Sequence, residues 1–320
     1  MYRNKWFLFI LKFLLSAALI WLVARNVEFE EALARIGDVT SWSIGIFMLL
    51  ALLLNANNGY RWALVLAAIG ERLPFATAFK FNWIGFFFSQ TLPSTFGGDA
   101  ARMFLAYKRG VDVKTAVNSV MLERVTTLSG LILLVLLTQP FFLARMGDGR
   151  VEFVFPALAV AAILGVILLM YLDRIPERFR NLRIVEWLAK LANDTRLLFA
   201  APLYAISAIV MGATGTAIIA IAVYLTGRTL GIEFTLLDCL VLVPPVILIA
   251  AIPISIAGWG VREGAMVFAF GLIGVPNSDA LVLSILIGLL FMLFSFGGGV
   301  IFIAGGYRRR DIAEKFSDEG

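Results

Sequence analysis

Two short segments, far apart in the chain, carry the residue types of an anion site. The first runs from Pro93 to Arg102 and the second from Pro253 to Arg262, and each combines a proline, an early serine, two glycines and a final arginine. Glycine lets the backbone turn sharply and approach a ligand closely, and the planar arginine side chain matches the geometry of a phosphate. The two segments therefore predict a matched pair of phosphate-type sites.

A short helix is expected after each glycine turn, and its first N–H groups and positive dipole end would face a bound anion. Asp99 and Glu263 stand close enough to the arginines to pair with them when no ligand is bound. In the alternative interpretation, the arginines only lock the two turns through salt bridges. The predicted binding residues are Gly97, Gly98, Asp99, Arg102, Gly258, Gly260, Arg262 and Glu263.

Further polar residues interrupt apolar stretches and form a second group of candidates. They could line a hydrated path for a polar group, because ionisable side chains inside a membrane are costly and often functional. A purely structural hydrogen bond or ion pair is an equal alternative for each of them. These secondary candidates are Asn55, Asn58, Arg61, Glu123 and Arg124.

The elements that position these residues are membrane helices. Hydrophobic residues make up 61% of the 320 residues and charged residues only 15%, whereas soluble domains have about 25% charged residues. A stretch of about 20 apolar residues is long enough to cross the hydrocarbon core. We predict an all-α polytopic membrane protein with about six spanning helices, at Trp6–Ala24, Ser41–Gly70, Ala116–Thr138, Phe153–Leu172, Ala201–Leu225 and Ala280–Ala304.

Two segments, Asp99–Gly110 and Val261–Gly274, are too short to cross a bilayer at about 1.5 Å per residue. Each is predicted to be the returning arm of a re-entrant helical hairpin whose first arm is the preceding apolar segment. Three predicted spans separate the two hairpins, so the hairpins would enter from opposite sides as an inverted repeat. The domain prediction is a single membrane domain over residues 1–307, with repeat halves at about 41–150 and 201–305.

The distribution of basic residues predicts the orientation. With the amino terminus in the cytoplasm, most lysines and arginines fall on the cytoplasmic side, as the positive-inside rule requires. Residues 308–320 then form a basic and finally polar cytoplasmic tail, and Arg180–Leu198 an amphipathic interfacial helix. The expected location is the cytoplasmic (inner) membrane, with both termini in the cytoplasm.

Composition also excludes several classes of function. The chain has no histidine, a single cysteine and no P-loop motif, which argues against histidine-based catalysis and nucleotide hydrolysis by this chain. We therefore expect no catalytic residue, no metal and no cofactor. The net charge of +5 comes from basic residues beside apolar spans, so phospholipid, and not nucleic acid, is the predicted partner.

The chain resembles the flippase-like family, which comprises the membrane region of lysylphosphatidylglycerol synthases and its stand-alone relatives. The resemblance covers roughly residues 5–307 and rests on Pro93–Arg102, on Glu123-Arg124 and on Pro253–Glu263. It implies translocation of a phospholipid, or an aminoacylated phospholipid, between leaflets. The lysyl-transferring members carry a large soluble domain after the membrane region, whereas here only Tyr307–Gly320 follows the last predicted span.

Two functions remain to be compared. The preferred hypothesis is flipping of an anionic phospholipid or related phosphate-containing lipid, with the headgroup held at the two broken-helix sites. The alternative is a membrane enzyme, or an accessory subunit, that acts on polyprenyl-phosphate-linked sugars. The outer loops contain few acids and no D-x-D motif for a metal-bound donor, which favours the first. A homo-oligomer is left open.

Overall fold

The computed structural model describes residues 40–91, 97–146, 154–171, 183–250 and 259–306. Every regular element within these ranges is an α-helix. In chain order the helices are α1 (Ser41–Ala68), α2 (Phe75–Thr91), α3 (Gly97–Lys108), α4 (Val113–Met146), α5 (Val154–Met170), α6 (Arg183–Ala200), α7 (Pro202–Thr229), α8 (Leu236–Ala250), α9 (Val261–Gly271) and α10 (Asn277–Ala304).

Four of the described helices, namely α1, α4, α7 and α10, are long and apolar enough to cross a membrane. The prediction of an all-α polytopic membrane protein is thereby confirmed. The apolar helix α5 has only 17 residues, and the predicted first span, Trp6–Ala24, lies outside the described residues.

Two pairs of short helices occupy the positions of the predicted hairpins. Helix α2 packs along α3, and helix α8 packs along α9. Helix α3 has 12 residues and α9 has 11, which gives each a length of roughly 16–18 Å, about half the hydrocarbon core. The turns that lead into α2 and α8 contain Gly70 and Gly231, both with positive φ. Pro244 and Pro245 lie inside α8.

The short helices also contact the opposite half of the chain. Helix α2 packs against α10, and helix α8 packs against α4. Two clusters of buried side chains result, one centred on α1 to α4 and the other on α7 to α10. Trp62, Phe81 and Leu105 lie in the first, and Leu242, Phe270 and Leu283 in the second. The two halves are thus joined through each other's short helices.

One sequence-based expectation is wrong in detail. The short helix of the first half was expected to begin after its glycines, near Arg102, but α3 begins at Gly97. Gly97 and Gly98 therefore lie in the first turn of the helix, and the missing side chain of Gly98 allows α3 to lie directly against α2. In the second half the expectation holds, since α9 begins at Val261 directly after Gly260.

Candidate functional site

Arg102 is the centre of a buried ion cluster. Its Nη2 donates to Oδ1 of Asp99 at 2.7 Å and to Oε2 of Glu123 at 3.2 Å. Asp99 lies one turn earlier on α3, whereas Glu123 comes from α4. All three residues are buried, so the fold keeps each charge in contact with an opposite one, as burial of charge requires.

Two more arginines extend this cluster into a chain. Nε of Arg61, on α1, donates to Oε1 of Glu123 at 3.0 Å, and Nε of Arg124 donates to Oδ2 of Asp99 at 2.6 Å. The order Arg61, Glu123, Arg102, Asp99, Arg124 alternates in sign and has a guanidinium at both ends. Counted over these five described residues alone, this five-charge chain has one positive charge in excess, and it joins α1, α3 and α4.

A relay of amide side chains holds the second edge of the Arg102 guanidinium. Its Nη1 donates to Oδ1 of Asn82 at 3.2 Å, and Nδ2 of Asn82 donates to Oδ1 of Asn55 at 2.8 Å. Nδ2 of Asn55 in turn donates to the carbonyl oxygen of Phe79 at 3.3 Å. Arg102 is therefore fixed by α1 and α2 as well as by its carboxylate partners, which limits the orientations of its guanidinium.

Two glycines bring α2 and α3 close enough for these contacts. A Cβ on Gly98 would overlap the carbonyl oxygen of Gly85 and the hydroxyl of Ser89. A Cβ on Gly85 would lie 2.7 Å from Cγ of Arg102. The aliphatic part of Arg102 thus packs on the bare backbone of α2, and its guanidinium carbon lies 5.3 Å from the ring centre of Trp62.

We expect Gly98→Ala to destabilise the protein, because the added methyl group meets main-chain atoms of α2 that cannot move aside. The cost of such overpacking is about 1–3 kcal/mol, and it would appear as a lower midpoint of thermal unfolding in detergent. Gly165→Ala is the matched control, since a Cβ there meets nothing within 4 Å. An equal effect of both substitutions would contradict the close α2–α3 contact.

The five-charge chain faces a cavity of about 430 Å³ between the helices. A second set of polar groups completes its hydrophilic side, and α2, α4 and α8 supply an apolar side. Besides the five-charge chain, the polar lining consists of Asn58, Asn82, Ser89 and Thr127, together with the backbone at Gly85 and Gly98. The apolar lining consists of Phe86, Leu128, Leu131, Ile247 and Leu248. The cavity can therefore accommodate a polar group that is attached to an apolar one.

Arg124 is the most exposed member of the five-charge chain. Its side chain is 45% exposed, whereas those of Arg61, Asp99, Arg102 and Glu123 are nearly inaccessible. Arg124 is therefore the most accessible of the three arginines that line the cavity. Because Asp99 binds Arg102 and Arg124 at the same time, it connects the accessible end of the chain to its centre.

The second predicted site has a different geometry. Nη2 of Arg262 donates to Oε1 of Glu263 at 2.5 Å, and Oε2 of Glu263 accepts from the backbone N–H of Gly260, also at 2.5 Å. The hydroxyl of Ser284 lies 3.3 Å from Oε1 of Glu263. Glu263 is 0% exposed, and the guanidinium of Arg262 stacks over Trp259 at 4.7 Å. These contacts both cap α9 and tie it to α10, so the salt-bridge alternative is favoured at this position.

The structure thus brings together residues that the sequence separated into two groups. Gly98, Asp99 and Arg102 line the same cavity as four of the secondary candidates, namely Asn58, Arg61, Glu123 and Arg124. The fifth, Asn55, contacts Arg102 indirectly, through its hydrogen bond with Asn82. Arg262 and Glu263 do not line this cavity, and Gly258 lies outside the described residues. Gly97 is buried at the start of α3. A role of any of these residues in ligand binding stays a prediction.

Asn82 and Trp62 were missed as site residues. In the sequence, Asn82 is only a polar interruption of an apolar stretch, as is Lys80 nearby. One feature of the sequence could have identified Asn82. It is a carboxamide in an apolar segment that is too short to span the membrane. Within the described ranges, no group of three or more histidine, cysteine or acidic side chains could hold a metal ion.

A comparison with family models agrees with this architecture. The model described as the lysylphosphatidylglycerol synthase TM region matches residues 9–299, and it therefore includes all the helices of the cavity. A comparison with curated proteins gave no match. The family relates this integral membrane protein to lipid handling, which confirms the resemblance seen in the sequence. The chain belongs to the family of lysylphosphatidylglycerol synthase TM regions.

Proposed function

We propose that the protein moves an anionic phospholipid, or a related phosphate-containing lipid, between the two leaflets of the cytoplasmic membrane. The observation that carries this proposal is the five-charge chain, which lines a cavity of about 430 Å³ and has one positive charge in excess. A lipid phosphate carries the complementary charge. Its oxygens can accept hydrogen bonds from arginine side chains, which are the strongest phosphate donors in proteins.

The apolar side of the cavity fits the rest of such a lipid. Phe86, Leu128 and Ile247 line the same cavity as the charged residues, so a headgroup and the first methylenes of an acyl or prenyl chain could occupy the cavity together. The remainder of the chain would stay in the surrounding lipid. This division allows a polar headgroup to cross the membrane without transfer into hydrocarbon, which would cost several kcal/mol.

An inverted repeat would supply the alternation of access that transport needs. Helices α1 and α7 both have 28 residues. Corresponding positions in the two halves are separated by the same number of residues. This holds for the helix starts Ser41 and Pro202, for Gly70 and Gly231, and for the helix starts Phe75 and Leu236. The separation between Arg102 and Arg262 is one residue shorter than this common value. The separation between the starts of α4 and α10 is three residues longer.

The packing supports the same repeat. In the repeat, α2 corresponds to α8 and α10 corresponds to α4. The contact between α2 and α10 therefore has its counterpart in the contact between α8 and α4, and both contacts are extensive. In such transporters one repeat moves against the other around a site near the membrane centre. Here the motion of α8 against α4 would change access to the cavity, because α8 supplies Ile247 and Leu248 to its wall.

The proposal is tested by reconstitution. Proteoliposomes would hold fluorescent phosphatidylglycerol, phosphatidylcholine or a polyprenyl phosphate, and a membrane-impermeant quencher would report the leaflet of each lipid over time. A charge-assisted hydrogen bond contributes about 1.5–3 kcal/mol, so we expect the two anionic lipids to move roughly tenfold faster than phosphatidylcholine. Protein-free liposomes are the control. Equal rates for charged and zwitterionic lipids would contradict an anion site.

Asp99→Asn tests the charge of the cavity through equilibrium binding of phosphatidylglycerol to the purified protein and through the rate of its release. The substitution removes one carboxylate charge that neutralises Arg102 and Arg124, while the amide keeps the size of the side chain. We expect phosphatidylglycerol to bind severalfold more tightly and to be released more slowly. Weaker binding would instead indicate that Asp99 contacts a cationic group of the lipid, such as an aminoacyl amine.

A further inference from the structure

Helix α6 is attached to the start of α4 by polar side chains. Nζ of Lys190 donates to Oδ2 of Asp112 at 2.7 Å and to the hydroxyl of Thr115 at 2.6 Å. Lys114 and Glu186 form a further, exposed ion pair at 3.3 Å. The same two helices are also joined by a buried polar pair that does not line the cavity.

The buried pair consists of Asn118 on α4 and Asp194 on α6. Nδ2 of Asn118 donates to Oδ2 of Asp194 at 2.6 Å. Asn118 is 0% exposed and Asp194 is 4% exposed. The other polar atom of the amide, Oδ1 of Asn118, is buried without a hydrogen-bond partner in the described structure. An unpaired buried carbonyl oxygen of this kind destabilises the folded state, because it has lost its hydrogen bonds to water.

The chemistry of this pair identifies the missing partner. A carboxylate can only accept hydrogen bonds, so it forms a single one with an amide and leaves the amide oxygen unpaired. A protonated carboxylic acid also donates one, and it can close a ring of two hydrogen bonds with the amide. We propose that Asn118 and Asp194 form a proton-binding site, in which the proton of Asp194 is donated to Oδ1 of Asn118.

The electrostatic surroundings agree with proton binding. Burial raises the pKa of Asp194, and the negative charge of Asp112 raises it further, while the hydrogen bond from Asn118 and the charge of Lys190 oppose this. Lys190 is also held by Asp112, which reduces its effect on Asp194. Other charged groups nearby have partners of their own: Glu186 binds Lys114, Arg196 binds the carbonyl oxygen of Met170, and Arg61 of α1 binds Glu123.

Two other helices that pack on α6 add little charge. Helix α5 has no titratable side chain between Val154 and Met170, and the only titratable side chain in the first half of α7 is Tyr204. Protonation of Asp194 would therefore be governed by its burial, by Asn118 and by the Asp112–Lys190 pair. Since stability follows protonation, the site would make the attachment of α6 to α4 stronger in acid.

The site lies on the same helix as the five-charge chain. Asn118 precedes Glu123 by little more than one turn of α4, and between them Ser119 accepts a hydrogen bond from Nε1 of Trp62 at 3.0 Å. Trp62 in turn stacks on Arg102. A change in how α6 holds α4 would thus reach the cavity. The proton site itself does not depend on the proposed transport function; only its effect on transport does.

Asp194→Asn tests the proposal directly. The new amide mimics the protonated acid, because it can donate to Oδ1 of Asn118 and accept from Nδ2. In the purified full-length protein we expect the thermal midpoint of the wild type, relative to that of the substituted protein, to fall by a few degrees as pH rises from the ordinary range of an aspartate carboxyl through the raised pKa of Asp194. The sign follows from the raised pKa of Asp194, since the folded state then binds more protons than the unfolded state.

Asp112→Asn is the control of opposite sign. The hydrogen bond from Lys190 is the largest of the effects that lower the pKa of Asp112. The stability that this hydrogen bond contributes is present at neutral pH and is lost as pH falls through the lowered pKa of Asp112. Removing it should therefore cost stability at neutral pH and little in strong acid. An infrared band of a protonated carboxyl group, present in the wild type and absent in Asp194→Asn, would support the proposal independently. Identical pH profiles of wild type and Asp194→Asn, without this band, would overturn it.

Discussion

Arg102→Ala is expected to slow the transport of anionic lipids strongly and to leave the protein folded. The substitution removes the central guanidinium of the five-charge chain, but Asp99 keeps its contact with Arg124 and Glu123 keeps its contact with Arg61. No carboxylate is therefore left unpaired. The excess positive charge of the cavity disappears, and with it the attraction for a phosphate. The loss of one charge-assisted contact at about 1.5–3 kcal/mol predicts a decrease in rate of roughly tenfold to a hundredfold.

Arg102→Lys separates charge from geometry in the same assay. Lysine restores the positive charge, but its ammonium group cannot reach Asp99, Glu123 and Asn82 with the fixed planar arrangement of a guanidinium. We expect a partial recovery of transport, with a rate between those of Arg102→Ala and the wild type. Full recovery would mean that only the charge of Arg102 matters, and the relay through Asn82 would then have no role in positioning.

Arg262→Ala should behave differently, although the sequence places Arg262 in the equivalent position. Its removal deprives Glu263 of the charged partner that it has within the described residues, while this carboxylate is 0% exposed. Breaking a buried ion pair in this way costs about 3–5 kcal/mol. We therefore expect loss of folded protein. In the double variant Arg262→Ala/Glu263→Gln, the glutamine is neutral and can still accept from the N–H of Gly260, so the folded protein should be recovered.

Thermal unfolding in detergent, measured beside transport, distinguishes the two arginines. An unfolded Arg102→Ala protein would show that this arginine serves mainly to hold the helices together. A folded but inactive Arg262→Ala protein would show that the second cluster takes part in transport, as the sequence had predicted. The two outcomes are independent of each other, because the two arginines lie in separate clusters.

The general architecture could be predicted because hydrophobicity along one chain is a local property. Long apolar stretches identified the four described helices that can cross a membrane, and the short segments after Gly98 and Gly260 could not be spans on length alone. The boundaries were less accurate where polar residues are buried by other helices. Helix α4 was expected to begin at Ala116 but begins at Val113, because its polar first turns, including Thr115, face α6 and not water.

The composition of the site could not be predicted, since it depends on contacts between distant parts of the chain. Arg61 and Glu123 are separated by α2 and α3, and nothing in their spacing indicates that one accepts hydrogen bonds from the other. For the same reason, the sequence did not indicate that Asp99 and Arg102 share a cavity with Arg61, Glu123 and Arg124. The repeat in the sequence also suggested two similar sites. The position of the acid differs, however: Asp99 precedes Arg102 by one helical turn, whereas Glu263 directly follows Arg262. That local difference produces a helix cap in one half and a cavity lining in the other.

The last prediction concerns the orientation of the two halves in the membrane. If α2 and α3 form a re-entrant hairpin, the elbow between α3 and α4 must lie on the cytoplasmic side, and the turn between α9 and α10 on the outer side. In a Cys239→Ala background, we expect Arg109→Cys to react only with thiol reagents that enter the cytoplasm. Asn277→Cys should react with an impermeant reagent added to intact cells. Both positions are exposed.

Arg109 is preferable to its neighbour Asp112 as the labelling position, because Asp112 is held by Lys190. The rival arrangement makes α2 and α8 complete spans, although they have only 17 and 15 residues, or roughly 22–26 Å. It would place Arg109 outside and leave Asn277 outside as before, so Asn277 controls for labelling efficiency and Arg109 decides. The rival would also expose Lys108, Arg109 and Lys114 on the outer face, against the positive-inside rule. Labelling of Arg109→Cys from outside would remove the re-entrant hairpin and the inverted repeat, and with them the alternating access on which the proposed lipid transport depends.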